Sequence, residues 1–280
     1  MLKWLFVLFL AVVIFGGAAW FGYNLFFKQE IAVQKEQRGE IKVEPPPDVS
    51  LAEFQAAAKL RQEGKLAEAR GALATFIQKY PTGQHIEEAK DLLGEINIEI
   101  LLSRTPSPEK TEYIVKPGDV LQKVANRVKS TPELIMRMNN LSGTMLHIGE
   151  RLLISHPDFS IVVQRKPKVA VLLDHNSFFK QYHVQELKLP PRQPPRVTGK
   201  VAEVMAFRDG RRVGFGTKEF VGSTRWIRLS VPAYTIYSVP DGTHATVGQP
   251  PPTSGLGLAA TDVEELSSLV NNRTPVTIID

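Results

Sequence analysis

The chain has 280 residues, 43% of them hydrophobic and 22% charged, with a formal net charge of +5. It has no cysteine, which excludes disulfides, thiolate metal ligands and cysteine nucleophiles together. The basic residues are scattered, with no long Lys/Arg block and no nucleic-acid motif, and the mild positive balance fits an acidic wall or a membrane surface equally well.

From Trp4 to Phe27 there is no charged residue and nearly every position is apolar. As a helix this run would span ~36 Å against a hydrocarbon core of ~30 Å, and Lys3 precedes it, favouring a cytoplasmic N-terminus. Gly17, Ala18 and Ala19 offer a signal-cleavage pattern, but Trp20, Phe21, Tyr23 and Leu25 to Phe27 continue the apolar run past it, beyond the ~7–15 residues of a signal core. The expectation is an uncleaved signal-anchor over residues 1–27. It implies a single-pass membrane protein with the bulk of the chain outside the cytoplasm. Residues 28–49, containing Pro45, Pro46 and Pro47, read as a stiff extended linker.

Helical signals follow. Ser50 and Glu53 form a capping-box pattern, and Phe54, Ala57, Ala58 and Leu60 supply an apolar face. Gly64 and Lys65 break that helix. Leu66, Ala69, Leu73, Phe76, Ile77 and Tyr80 trace a second, stopped by Pro81; Ile86, Ala89, Leu92, Leu93, Ile96 and Ile100 trace a third. The run Glu63, Gly64, Lys65, Leu66, Ala67, Glu68, Ala69, with Tyr80-Pro81 and Glu88-Ala89, resembles tetratricopeptide repeats, about one and a half of them over residues 50–102. That likeness implies either a peptide-binding surface or a helical spacer. Residues 103–111 read as a linker.

Tyr113 to Val115 is aromatic and β-branched, hence a strand; Pro117, Gly118 and Asp119 are turn chemistry, with Asp119 able to cap the next helix. Leu121, Val124, Ala125 and Val128 recur at helical spacing. Thr131 is an N-cap candidate with Pro132 at the first helical position, and Leu134, Ile135 and Met138 fill the buried face of that second helix. Leu152 to Ile154, after the turn at Gly149, supplies the second strand. This strand–helix–helix–strand order over residues 112–156 resembles a LysM domain, the module that binds N-acetylglucosamine chains of peptidoglycan or chitin. The resemblance implies a shallow glycan groove between two loops: Gly118, Asp119, Val120 and Leu121 on one, Thr144, Met145, Leu146 and His147 on the other. Leu121 and Leu146 would offer apolar contact. The family usually carries threonine where this chain has Val120, so one hydroxyl contact is missing.

From residue 159 to 280 the pattern changes to strands: Ser160 to Val163, Val169 to Leu173, Phe178 to Val184, Lys200 to Phe207, Arg225 to Leu229, Thr235 to Tyr237 and Val276 to Ile279, with a short helix from Asp262 to Val270. Arg225 to Leu229, Asp262 to Leu266 and Thr274 to Ile279 resemble the flanks of the L,D-transpeptidase active site, which cross-links peptidoglycan stem peptides through a cysteine thioester. Aligned by spacing, Gly248 takes a family glycine. The family's S-H-G-C-x-R run falls on Pro252, Thr253, Ser254, Gly255, Leu256 and Gly257, and an earlier histidine falls on Val239. The positions of both histidines, the cysteine and the arginine are thus Thr253, Val239, Gly255 and Gly257, none able to perform the family's chemistry. Ser254 with His244 would be the substitute nucleophile of the alternative reading, an active transpeptidase or hydrolase. A cleft lined by residues 190–195 and 250–257 would still be able to take a stem peptide.

The fold class expected is therefore multidomain: an N-terminal transmembrane helix, a tetratricopeptide-like helical segment, an α+β LysM and a mostly-β L,D-transpeptidase-like domain. The function expected, as the resemblances imply, is that of a pseudoenzyme anchored in a bacterial inner membrane by a single pass, with the bulk of the chain in the periplasm, that grips peptidoglycan and tethers or scaffolds wall metabolism. Catalytic residues, metal ligands and cofactors are expected to be absent. The partners expected are peptidoglycan, the cell membrane and possible cell-wall enzymes, without nucleic acid.

Overall fold

A computed structural model describes residues 49–189, 193–231, 234–239 and 252–280. The apolar run at residues 4–27 and the proline linker before Val49 lie outside them. Among the described residues no helix is long and apolar enough to cross a membrane. The expected single-pass inner-membrane location is corrected accordingly: no helix among the described residues supports it.

Ser50–Asp280 forms one unit. It opens with three helices, α1 (Val49–Gln62), α2 (Leu66–Lys79) and α3 (Ile86–Leu102). The expected apolar faces meet in one cluster of Ala57, Ala69, Leu73, Phe76, Ala89, Leu93 and Ile96. Alanines at three of these positions let the helix backbones approach closely. Glu53 does not complete a capping box; its carboxylate accepts from Lys79 Nζ and, at 3.0 Å, from the Tyr80 hydroxyl, pinning α1 to the end of α2.

Helix α3 is not a free spacer. Its second face, carrying Gly94, Asn97, Ile98 and Leu101, is also buried, and Ile98 and Leu101 belong to the core of the C-terminal sheet. A Cβ on Gly94 would sit 2.7 Å from Lys180 Cγ and 3.2 Å from Lys180 Cα. The mid-helix glycine, which costs ~1 kcal/mol relative to alanine, is explained by that close approach. Around it Asn97 Nδ2 donates to the Phe179 carbonyl at 2.7 Å, Gln181 Nε2 donates to Asp91 at 2.8 Å, and Lys180 Nζ pairs with Glu95 and Glu265, each at 2.8 Å.

The next segment has β1 (Lys110–Ile114) antiparallel to β2 (Arg151–Ser155), with α4 (Leu121–Arg127) and α5 (Pro132–Asn139) between them. Thr131 caps α5 as expected: its hydroxyl accepts from Leu134 N at 3.0 Å, with Pro132 behind it. Asn140 closes α5 in the left-handed conformation at φ 53°. The α4 cap differs from expectation. Val120 occupies that position without a side-chain bond, because the Asp119 carboxylate is turned to Lys116 N and Tyr113 Oη instead.

Among the described residues the C-terminal strands form one ten-stranded sheet in the order β5-β4-β3-β12-β7-β9-β10-β11-β6, with β8 beside β7. Their spans are β3 (Phe159–Gln164), β4 (Val169–Asp174), β5 (Ser177–His183), β6 (Glu186–Lys188), β7 (Arg196–Arg208), β8 (Arg211–Val213), β9 (Thr224–Leu229), β10 (Thr235–Ser238), β11 (Gly255–Leu258) and β12 (Pro275–Ile279). Strand β7 joins the halves, pairing with β12 through its first residues and with β9 through its last, around an irregularity between Val201 and Glu203. Helix α6 (Ala260–Leu269) buries Val263, Leu266 and Leu269 in the same core.

Candidate functional site

The two loops expected to hold a glycan rise from one small core. Val115, Leu121, Val124, Ala125, Ile135, Leu152 and Ile154 are buried together, with Leu146 packed against them. Leu121 from the first loop and Leu146 from the second are thus anchored in the same cluster. Leu121 is only 2% exposed, so its side chain holds the loop and is not presented to solvent. Leu146 is half-buried, whereas Gly118, Val120, Thr144, Met145 and His147 are exposed.

Asp119 organises the first loop. Its carboxylate accepts from the Tyr113 hydroxyl at 2.6 Å, from Lys116 N at 2.9 Å and from Arg127 Nη1 at 3.2 Å, and Arg127 also donates to the Tyr113 oxygen. These bonds, led by that from Tyr113, hold Asp119 below the usual carboxylate range, and the bond to Asp119 raises the Tyr113 phenol against the lowering effect of Arg127. Gly118, at φ 81°, makes the turn that brings Asp119 back to Tyr113. In the second loop His147 N donates to Glu150 Oε2 at 3.0 Å. Gly149 N donates to the Val115 carbonyl and Val115 N to the Glu150 carbonyl, both at 2.9 Å, so the ladder of β1 and β2 runs on to the foot of both loops.

Sequence reasoning missed part of the apolar surface beside the loops. Val120 and Met145 are 51% and 78% exposed, and Ile114 and Ile148 stand beside them in sequence at 52% and 72%. Two exposed isoleucines flanking turn segments were the available signal. Thr144 faces a further neighbour: a Cβ on Gly216, in the connection after β8, would meet Thr144 Cγ2 at 3.0 Å.

The second candidate region is the stretch of the sheet that spacing aligns with the L,D-transpeptidase catalytic run. Gly255 is not in a turn; it opens β11, a buried strand between β10 and β6. Its φ is 143°, and a Cβ there would lie 2.1 Å from the Thr235 carbonyl oxygen. No side chain fits, least of all a thiol. Two residues on, a Cβ at Gly257 would meet Val239 Cγ2 at 2.6 Å and Glu186 Cβ at 3.0 Å. Val239, at the position aligned with a histidine, bonds its N to the Leu258 carbonyl at 2.8 Å. Thr253 is exposed and Ser254 half-buried. His244, Gly248 and residues 190–192, 250 and 251 lie outside the described residues, so the Ser254–His244 pair has no described geometry. Beside Gly257 the Tyr237 hydroxyl donates to Glu186 Oε2 at 2.8 Å, and Lys188 pairs with the same carboxylate at 2.6 Å. Burial, then Glu186, raises the Tyr237 phenol, while Lys188 and Tyr237 lower Glu186.

The two regions share a helix. On α5, Ile135 packs in the small core, while Leu134 and Met138 pack in the large one. Thr131 Oγ1 donates to the Ser268 carbonyl, and Arg137 Nη1 donates to Ser268 Oγ at 2.8 Å. Arg225, 2% exposed, lies 3.5 Å from Glu133 and stacks 3.5 Å from the centre of the Phe220 ring.

Comparison with known proteins agrees with the small module. Residues 113–155 match the LysM domain family. No curated protein sequence matches the chain. Solved structures with a similar arrangement include an L,D-transpeptidase from Mycobacterium smegmatis, at 11% identity over 48% of this chain and 65% of that one, with a TM-score of 0.31. An Enterococcus faecium L,D-transpeptidase follows at 13% identity, over 44% of this chain and 50% of that one, with a TM-score of 0.30. L,D-transpeptidase 3 from Mycobacterium tuberculosis has 11% identity over 60% of this chain and 91% of its own, with a TM-score of 0.30. The chain spans no more than about two thirds of the first two structures it matches.

Proposed function

We propose that this chain is a non-catalytic peptidoglycan-binding protein, its LysM domain gripping N-acetylglucosamine-containing chains and its β-sheet domain serving as a scaffold for wall metabolism. The observation that carries the reading is the LysM match at residues 113–155, with both expected loops anchored in one core and presenting backbone and apolar surface to solvent. Apolar sugar faces bind through such half-exposed side chains, and loop N–H and C=O groups can bond an acetamido group. The absence of catalysis is supported by a cysteine-free sequence and by a Gly255 position with no room for a nucleophile of any kind. The scaffold role follows from what remains: a folded sheet rigidly joined to a glycan grip. Wall enzymes are its expected protein partners.

The test is co-sedimentation of the full chain with purified peptidoglycan sacculi, alongside Val120→Asp and Met145→Asp. Each substitution is expected to weaken binding about tenfold, the equivalent of ~1.4 kcal/mol of lost apolar contact, without lowering the melting temperature, since both side chains are exposed. Parent and variants sedimenting alike would remove the loops from the grip. Muropeptide mass spectrometry after incubation tests the other half: any new cross-link or cleavage product would refute the non-catalytic assignment.

A further inference from the structure

A cavity of about 580 Å³ opens on the seam between the LysM domain and the β-sheet domain. Arg127, Lys129 and Ser130 reach it from the end of α4, His156 and Asp158 from the link between β2 and β3, His175 from the turn after β4, and Arg273 from the turn before β12.

Its charge is unbalanced. Arg127 is occupied by Asp119 at 3.2 Å, and His175 Nδ1 faces Asp174 Oδ1 at 2.8 Å. His156 contacts the Thr111 hydroxyl at 3.0 Å and the Val128 carbonyl at 3.3 Å. Lys129 and Arg273, both exposed, form no ion pair among the described residues, and Asp158 is the one carboxylate lining the cavity.

One further observation points to a ligand. Ser130 is 8% exposed, and its hydroxyl has no hydrogen-bond partner among the described residues, a deficit that a buried polar group ordinarily avoids. Lys129, at φ 56°, closes α4 in the left-handed conformation, with Lys129 N bonded to the Asn126 carbonyl at 3.4 Å and Ser130 N to the Ala125 carbonyl at 2.9 Å, and this cap sets both residues against the cavity.

We propose that this seam cavity binds an oxyanion, a carboxylate or a phosphate carried by the wall polymer, with Lys129 and Arg273 as cationic donors and the Ser130 hydroxyl as a neutral one. The proposal rests on the wall-binding reading and extends it to the acidic part of the ligand. Arg127 gives the continuity: it lines the cavity and pairs with Asp119 of the first glycan loop. A strand seated on that loop therefore lies one side chain from the cavity.

The experiment is isothermal titration of the full chain with four probes: an uncharged N-acetylglucosamine pentamer, a disaccharide muropeptide with free carboxylates, the same muropeptide amidated, and inorganic phosphate. The double variant Lys129→Gly/Arg273→Ala is titrated beside the parent. The acidic muropeptide is expected to bind more tightly than the amidated one, or phosphate to bind by itself, the first result naming a carboxylate source and the second a phosphate source. The double variant is expected to lose about tenfold of that affinity, as two charge-assisted bonds at a half-open site are removed. Its affinity for the pentamer should stay within about twofold. Lys129→Gly alone should melt no lower than the parent, because glycine relieves the left-handed strain, so weaker binding cannot be ascribed to unfolding. If amidated and acidic muropeptides bind equally and phosphate does not bind, or if the double variant binds every probe as the parent does, the subsite is refuted. Pentamer binding decides the wall reading separately: it survives if the pentamer binds and fails with the subsite if nothing does.

Discussion

Gly255→Ala is the sharpest perturbation the fold offers, because its cost can be worked from the backbone alone. At φ 143° a residue with a Cβ incurs ~1–3 kcal/mol of conformational strain. The new methyl would lie 2.1 Å from the Thr235 carbonyl oxygen, so β10 and β11 must separate, and overpacking of this kind costs a further ~1–3 kcal/mol. The sum is roughly 4 kcal/mol. For a unit of this size it lowers the melting temperature by roughly 8–16 °C. The assay is thermal unfolding followed by circular dichroism, with urea denaturation for the free energy. A loss below ~1 kcal/mol would refute the steric argument. It would then also reopen the aligned cysteine position. Gly255→Cys should show the same destabilisation and form no cross-linked muropeptide, since the backbone that would carry the thiol leaves no space for it.

Three further outcomes follow from the seams between elements. Lys180→Ala leaves the half-buried Glu265 without its cation and should cost about 3 kcal/mol in urea denaturation, with Glu265→Gln in the same chain recovering part of it. Burial raises the Glu133 carboxyl more than the Arg225 and Arg137 charges lower it. The folded state therefore holds this proton more tightly than the unfolded chain, and the group's contribution is full below its ordinary value and lost as pH rises through the raised one. Glu133→Gln should accordingly gain stability relative to the parent between about pH 4 and pH 7; a constant difference across that range would contradict the assignment. Leu134→Ala and Ile135→Ala should each cost about 2–5 kcal/mol and leave one cooperative transition by calorimetry, whereas a separate LysM transition would show that α5 does not join the two cores.

Periodicity reports that a residue is buried, not what buries it. Leu134, Ile135 and Met138 are all inaccessible, as their spacing indicates, yet Ile135 serves one core while Leu134 and Met138 serve another. The third helix repeats the lesson: its stripe through Ala89, Leu93 and Ile96 was legible, while Ile98 and Leu101 on the opposite side were not assigned until the sheet was there to meet them. Strands β6 and β8, three residues each, are too short to show alternation. Strand β11 reads Gly-Leu-Gly-Leu and sits beside a proline run, so local chemistry says turn. Its strand conformation comes from parallel pairing with β10 and antiparallel pairing with β6. The loops of the candidate glycan site were placed from a family likeness, but the Tyr113–Asp119–Arg127 network depends on side-chain geometry that spacing does not encode. It is also why Asp119 fails as a helix cap: one carboxylate already accepting from Tyr113 and Lys116 N is not free to bond the first turn of α4.

The shared helix has a mechanical consequence for a wall-binding protein. A LysM module of this size, tethered by flexible linkers, would reorient independently of whatever it carries. Here Leu134 and Met138 are embedded in the sheet core, Thr131 and Arg137 bond Ser268, and α3 is clamped to β5 through Asn97, Lys180 and Gln181. Removing the LysM from the sheet would expose those leucine and methionine side chains and unpair Arg225, which is buried against Glu133. Separation thus costs core contacts as well as surface bonds, and sub-global opening there should be rare compared with fraying at α1. A glycan strand held by the two loops, as proposed, would therefore fix the orientation of the sheet as well. On the proposed reading, a defined orientation on the wall is what the sheet domain offers a partner.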